Sequence, residues 1–358
     1  MHSATTTYGI SRIGLTKRQV LGLLVFLVLS LGYQFIANDN GATTIIPYSA
    51  HTIDTDNRNV GPFDSQEVSS LRYRHWLGTD AIGRDVLAGL IWGSHVALKV
   101  GLLSTLLALL IGFIAGYLSG YVGDDSFKIS SLNAVITVLL FLLSIFYFIY
   151  GVGIWKWGPI VIILLWSVWI IKNHDPDYMG KNKMAIPLDM IVMRIIEIFR
   201  AIPTIFVVLI LIGLFATPSL YNVIIVIAII RWPIIARYLR SEILKLKKAD
   251  HVKASRALGL SGFEIFRKNI LPLAVSPVIV SSAFAFSGSI LLESTLSFLG
   301  IGIPVDEVTW GSILNGARFS FSSWWLALFP GLAIYLVIIL FHSIGDNLNE
   351  NLRGTLER

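Results

Sequence analysis

Long apolar runs separated by short polar stretches dominate this chain. Apolar residues fill about 20–37, 97–119, 129–151, 159–171, 188–215, 221–238, 273–292 and 324–344. Most of these runs approach the ~20 residues that an α-helix needs to cross a hydrocarbon core. No water is present there to satisfy free backbone groups, so spanning segments form helices or closed barrels. The pattern therefore predicts an all-α polytopic membrane protein of about eight spans, counting 129–171 as a two-helix hairpin. Around the spans it predicts a polar N-terminal tail over 1–19, a first span over 20–37 and a long polar loop over 38–96. A transmembrane domain over 97–345 follows, with a polar loop at 248–272, and a tail covers 346–358.

Composition agrees with this picture. The chain is 55% hydrophobic and only 14% charged, against about 25% charged in soluble domains. The net charge of +6 is explained by its distribution. With eight spans, Arg12, Lys17, Arg18, Lys172, Lys181, Lys183, Arg237, Arg240, Lys245 and the basic residues of 248–272 fall on one side, and few cations fall on the other. The positive-inside rule puts both termini and that loop in the cytoplasm, with no need of nucleic acid as a partner. The first apolar run has no small-residue cleavage pattern and reads as a retained span. The absence of cysteine excludes disulfides, thiol catalysis and thiolate metal sites.

The loop 248–272 is the polar stretch with the most design in it. Lys248, Lys253, Arg256, Arg267 and Lys268 give it charge, and Ala249, Ala254 and Ala257 give it a small, close-packing face. Ser261 with Glu264 has the spacing of a capping box. The segment predicts two short helices meeting at Gly259 and a surface shaped for a protein partner. An ordinary basic cytoplasmic loop is the plainer alternative.

Charges inside spans are costly and are functional candidates for that reason. Arg194, Glu197 and Arg200 recur every three residues and share one helix face, near an end where they can pair or snorkel. Pro203 follows and should kink that span, and Arg231 with Pro233 forms a second such place. Glu293 closes the seventh run and faces either a pathway or interfacial water. Gly112 and Gly116 form a pair that permits close helix approach. Before the second run, Gly78, Thr79, Asp80, Gly83, Arg84 and Asp85 make a turn in which Asp80, Arg84 and Asp85 can pair. The ligand spacing around His75 is poor for a metal. The chain has no GxxxxGK[ST] phosphate loop, no HExxH and no GxSxG.

Three stretches carry a resemblance. Residues 248–272 resemble the EAA loop of the membrane subunits of bacterial ABC importers. The Glu-Ala-Ala of that loop falls on Lys253, Ala254 and Ser255, its glycine on Gly259, and its Leu-Pro on Leu271 and Pro272. Asn269 departs from the usual apolar residue or histidine. Arg256-Ala257-Leu258-Gly259 is similar to the dipeptide/oligopeptide branch, as are GTDxxGRDVL from Gly78 and the stretches from Glu293 to Gly300 and Trp324 to Gly331. Within that branch, His95 and Ala97 stand where Arg and Ser are usual, and the hairpin 129–171 is an insertion.

The resemblance implies an importer transmembrane fold with six core spans plus that hairpin, in the bacterial inner membrane. It implies a permease for peptides or similar small solutes that is not itself an enzyme and binds no cofactor. ATP would be bound by separate ABC ATPase subunits, docked at Lys253, Ala254, Ser255, Ala257, Leu258, Gly259, Leu271 and Pro272. A second homologous permease, an extracytoplasmic solute-binding protein and membrane lipid are the other implied partners. An ion-coupled secondary transporter using Arg194, Glu197 and Glu293, or a scaffold without transport, are the alternatives.

Overall fold

The computed structural model describes residues 15–37, 45–124, 128–130, 183–185, 187–215, 217–304, 306–320 and 322–356, with isolated positions between 136 and 166. The chain forms two compact units, one of Met1–Gly116 with Glu197–Arg358 and one of Tyr117–Ile196. Among the described residues, four helices are long and apolar enough to span a membrane, or five if one bent pair is a single span.

In the larger unit, α1 is Lys17–Leu31. It starts at a capping box between Thr16 and Gln19, and at 15 residues it is shorter than the run suggested. The helix α2, Val86–Tyr117, starts eleven residues before the expected boundary. Asp85 accepts a hydrogen bond from the Ala88 N–H at 2.7 Å and so caps it, and the apolar stretch 86–96 then continues the helix. The expected loop 38–96 is correspondingly shorter.

The bend expected at Pro203 in the run 188–215 is a full break in the helix. The run forms two helices, α3 (Leu188–Ala201) and α4 (Thr204–Gly213), bent by 100°. Pro203 lies between them in an extended conformation, φ −55° and ψ 134°. A proline disfavours helical geometry in the residue before it, so the first helix stops there. The helix α5, Leu220–Leu246, passes straight through Pro233. The local rule is the same, but Trp232 and Pro233 are buried, and packing on both sides of the proline holds the helix together.

After α5 come the short helix α6, Asp250–Ala257, and a turn at Gly259 with φ +80°. A 38-residue helix, α7, then runs over Gly262–Leu299. The expected second short helix is therefore the first turn of a span. It joins the rest of α7 through a wider turn at Phe266–Ile270, where the N–H of Leu271 reaches back to Phe266. Such a turn accommodates Pro272 without ending the helix. The last helices are α8, Trp310–Gly316, and α9, Trp325–Leu356.

The small residues of α2 organise this unit. Gly89, Gly93, Ala97, Gly101, Thr105, Ala108, Gly112 and Gly116 recur every three or four positions and are all buried. A Cβ on Gly93 would stand 2.5 Å from the Trp310 ring, and one on Gly101 2.8 Å from Phe286. One on Gly112 would meet Ile235 at 2.8 Å and the Trp232 carbonyl at 3.0 Å, and one on Gly116 would meet Leu239 at 2.9 Å. The expected Gly112/Gly116 contact is thus the lower end of a longer seam. The start of α2 shares a core with the start of α5 through Val96, Val100, Val223 and Ile227, so these two helices run parallel. The ordered segment 45–85 and the loop 247–270 consequently lie at opposite ends of the bundle.

In the smaller unit, β1 (Lys128–Ser130) pairs antiparallel with β2 (Lys183–Ala185), Ile129 opposite Met184. A helix was expected to start at Ile129; a strand stands there instead. The two ends of the inserted segment are held side by side by this stem. Asp124 also accepts hydrogen bonds from the N–H groups of Asp189, at 2.8 Å, and Met190, at 3.3 Å, capping the start of α3. Most of the hairpin 129–171 lies outside the described residues.

Enlarging Gly112 tests the seam. Gly112→Val should destabilise the detergent-solubilised protein by about 1–3 kcal/mol through overpacking. Gly331→Ala, whose added Cβ meets nothing within 4 Å, should be near neutral. Equal thermal midpoints for the two variants would contradict the seam.

Candidate functional site

The loop after α5 has a buried side and an exposed side. Val252 on α6 and Ile265, Phe266 and Ile270 on α7 are buried, and they seat the loop on the bundle. Ser255 donates to the His251 carbonyl at 2.9 Å and accepts from Asn269 Nδ2 at 2.9 Å. The side chain of Asn269 thereby clips α6 to α7. Ser255 and Asn269 are two of the three departures from the resembled loop, and they bond to each other. The third, Lys253, is exposed and pairs with Asp250 at 2.8 Å.

At the corner between the helices, Gly259 has the left-handed backbone that favours glycine, with nothing within 4 Å of an added Cβ. The Ser261–Glu264 capping box is formed in both directions.

The exposed side gathers Lys253, Ala254, Ala257, Leu258 and Gly259. Leu258 is 81% exposed and Phe263 66%. Two large apolar side chains thus stand exposed at the rim of this corner. Phe263 was not among the expected residues. The sequence held no signal for it: Phe263 lies inside the Ser261–Glu264 capping box, and its spacing of three and seven from Phe266 and Ile270 would put it on their buried face. Leu271 and Pro272 belong to the body of α7, beyond the wider turn, and are not part of this corner. Ser255 is half-buried and works inward.

At the opposite end, the residues from Gly78 to Asp85 form a tight turn. Asp80 accepts from the backbone of Ile82 and Arg84 and from Arg84 Nε at 2.7 Å. Gly78 and Gly83 both have positive φ. A Cβ on Gly83 would run into the Asp54 carbonyl, and one on Gly78 would stand 2.6 Å from the Val60 carbonyl. Thr79 is buried, donates to the Asn57 carbonyl at 2.6 Å and accepts from the Val60 N–H at 3.0 Å. Trp325, at the start of α9, donates to the Thr79 carbonyl at 3.0 Å.

His75 ties this segment together. Its ring lies between Asp85, at 2.8 Å, and Asp54, at 3.2 Å, and stacks on Tyr48 at 4.3 Å. Burial alone would push the imidazole pKa down, but the hydrogen bonds to Asp85 and Asp54 hold it above its ordinary value. Burial would likewise raise Asp54, and its bonds to Asn57 and His75 instead hold it low. Tyr48 is pushed up to about 12, first by burial and then by the charge of Asp54.

The charges inside the spans separate. Arg194, Glu197 and Arg200 are all exposed along α3. Arg231 donates to the Gly288 carbonyl at 2.6 Å, and the missing side chain of Gly288 makes room for the guanidinium. Glu293 reaches neither a pathway nor interfacial water. It is 1% exposed and accepts from Ser297 at 2.8 Å and Ser294 at 3.3 Å.

Comparison with known proteins fits this arrangement. The family described as binding-protein-dependent transport system inner membrane component matches residues 178–354. A dipeptide transport system permease protein, DppC, of Alkalihalophilus pseudofirmus is 29% identical over 78% of this chain and 71% of its own length. A putative peptide transport system permease protein of Brucella suis is 39% identical over 47% of this chain and 57% of its own length. The glutathione transport system permease protein GsiD of Pectobacterium atrosepticum is 26% identical over 94% and 86%. Among solved structures, an inward-facing MetNI methionine ABC transporter aligns over 72% of this chain and 96% of its own, at 19% identity and a TM-score of 0.39; a likeness that low carries no argument.

The His75 contacts carry a pH dependence. A histidine pKa raised by folding contributes stability that is complete below the ordinary value of 6.5 and is lost as pH rises through the elevated value. Limited proteolysis within 45–85 should accelerate as pH rises through the window above 6.5. His75→Gln should cleave at one rate across that window. A wild-type rate that stays flat would contradict the assignment.

Proposed function

We infer the cargo and the coupling surface from one premise: the chain is a binding-protein-dependent transport inner-membrane component, the permease subunit of an ABC importer in a bacterial inner membrane. Such a subunit works with ATPase subunits and a substrate-binding protein. Our reading is that the corner at Ala254, Ala257, Leu258, Gly259 and Phe263 seats an ATPase subunit, and that the cargo is a peptide. The single observation that carries the first part is the pair of exposed apolar side chains, Leu258 and Phe263, on a corner clamped from behind by Val252, Ile265 and the Ser255–Asn269 bond. The peptide reading draws on the relatives named for dipeptide, peptide and glutathione transport.

In this reading both termini and the corner are cytoplasmic and the segment 45–85 is outside. A second, homologous permease completes the pathway, and lipid surrounds the rest. ATP binds to the partner subunits, and this chain holds no cofactor and performs no hydrolysis. The mechanism then needs two states. Closing the ATPase dimer moves the docked corner. Because α6 is clipped to α7, and α7 continues unbroken to Leu299, the displacement passes into a span as a rigid-body movement. The pathway changes side only as far as the partner binds the two states unequally.

Leu258→Asp tests the docking. The side chain is exposed, so folding and insertion should be unchanged. A charge in the middle of the contact should weaken ATPase binding by about tenfold or more, read as loss of co-purification in mild detergent and of ATP-driven uptake. Full co-purification of the variant with its ATPase would overturn the assignment of this corner.

A further inference from the structure

A cavity of about 380 Å³ opens beside the bend between α3 and α4, walled by α5 and by Leu292 of α7. Three arginines line it: Arg200, Arg231 and Arg237. Among the described residues no acidic side chain lines it, and no carboxylate pairs with any of the three. Thr204, the first residue of α4, adds a hydroxyl to the wall. Arg231 gives one end of its guanidinium to Gly288, while its buried Nε has no partner.

The depth of Arg231 makes its lack of a counter-charge costly, while Arg200 is exposed at the end of α3. Arg231 stands about 16 Å along α5 from Leu220, near the middle of the helix, at ~1.5 Å per residue. A cation there, away from the helix ends, is expected to face water or a ligand. Three guanidinium groups around one space match an oxyanion, since their planar N–H forks pair with carboxylate or phosphate oxygens.

We propose that Arg200, Arg231 and Arg237 form a binding site for the carboxylate of the transported solute, within the pathway. The proposal rests on the peptide reading above and deepens it. Every linear peptide with a free C-terminus ends in that carboxylate, whatever its side chains. A site that holds this group alone accepts peptides of many sequences, and the rest of the cavity wall, formed by Ile202, Val207 and Ile230 among others, is apolar enough to tolerate varied side chains. A lipid phosphate in the inner leaflet offers related oxygens. The mid-span position of Arg231 favours the solute.

The test uses the purified complex in detergent without its binding protein, so that discrimination by that protein does not enter. Alanyl-alanine and its C-terminal amide are titrated in, and thermal stability is read. The free acid should raise the midpoint and the amide should not. An Arg200→Gln/Arg237→Gln double variant should need about tenfold more dipeptide for the same shift, the loss of charge-assisted hydrogen bonds. The unliganded midpoint reports whether that variant is folded, and Arg200→Lys/Arg237→Lys, which keeps the charge, should recover part of the response.

Equal responses to acid and amide, or an unchanged response in the double variant, would overturn the site. A response only to nanodiscs containing phosphatidylglycerol, lost in the double variant, would assign the arginines to lipid phosphate and overturn the cargo site as well. ATP-driven uptake of dipeptide by the wild-type complex is measured alongside. If uptake occurs and the acid–amide difference does not, only this site fails. If no dipeptide is taken up, the peptide reading fails first.

Discussion

Close approach of helix backbones is the constraint on which this structure depends. In lipid, apolar side chains gain little by leaving their surroundings, so helices associate through packing and hydrogen bonds. One face of α2 from Gly89 to Gly116 carries nothing larger than threonine. Along it, in sequence, lie Trp310 of α8, Phe286 of α7, and Ile235 and Leu239 of α5. Large residues of three other helices thus fill the space that the small residues of one helix leave open. Hydrogen bonds then fix the ends, where water competes least with them once buried: Trp310 to the Leu90 carbonyl, Trp325 to the Thr79 carbonyl, and Gln19 of α1 to Ser343 of α9.

This arrangement explains how a displacement at one end can be carried through the bundle. Packed helices that interdigitate move as bodies and do not deform smoothly. The corner at Gly259 projects from the end of two of them, α5 and α7. Its inner side is dry and hydrogen-bonded, and its outer side is apolar and wet. The opposite end is closed differently: the turn from Gly78 to Asp85 is tied through His75, Asp54 and Asp85 and is pinned to α9 by Trp325. One end exposes two large apolar side chains at its corner, and the other is braced within the chain itself.

Much of this was legible in the sequence, for identifiable reasons. The apolar runs at 97–119, 221–238, 273–292 and 324–344 marked the four long apolar helices, the Ser261–Glu264 spacing marked a helix start, and Gly259 marked the turn, because each is a local rule that burial does not override. The places where expectation failed are those decided by tertiary packing. Pro203 turns the chain by 100° while Pro233 does not interrupt α5, and only the packing around Trp232 and Pro233 separates them. Glu293 looked like a residue at a helix end facing a pathway or interfacial water; Ser294 and Ser297, its close neighbours in sequence, satisfy it in a buried place. The start of α2 was placed too late because Asp85 was read as part of an ion pair and not as a cap. The Ser255–Asn269 bond was hidden because the two residues were weighed separately, as departures from a pattern, when they are partners. The pairing of Ile129 with Met184 spans too many residues for any local signal to show it.

The central claim is that the corner around Leu258 and Phe263 seats an ATPase subunit. The chain contains no cysteine, so Leu258→Cys places a single thiol at the tip, to which a short photo-crosslinker can be attached in the assembled membrane. The account predicts one dominant crosslinked product, whose partner carries a phosphate-loop ATPase sequence and whose yield changes when ATP is bound. Crosslinks only to lipid, or to a protein with no such sequence, would contradict it.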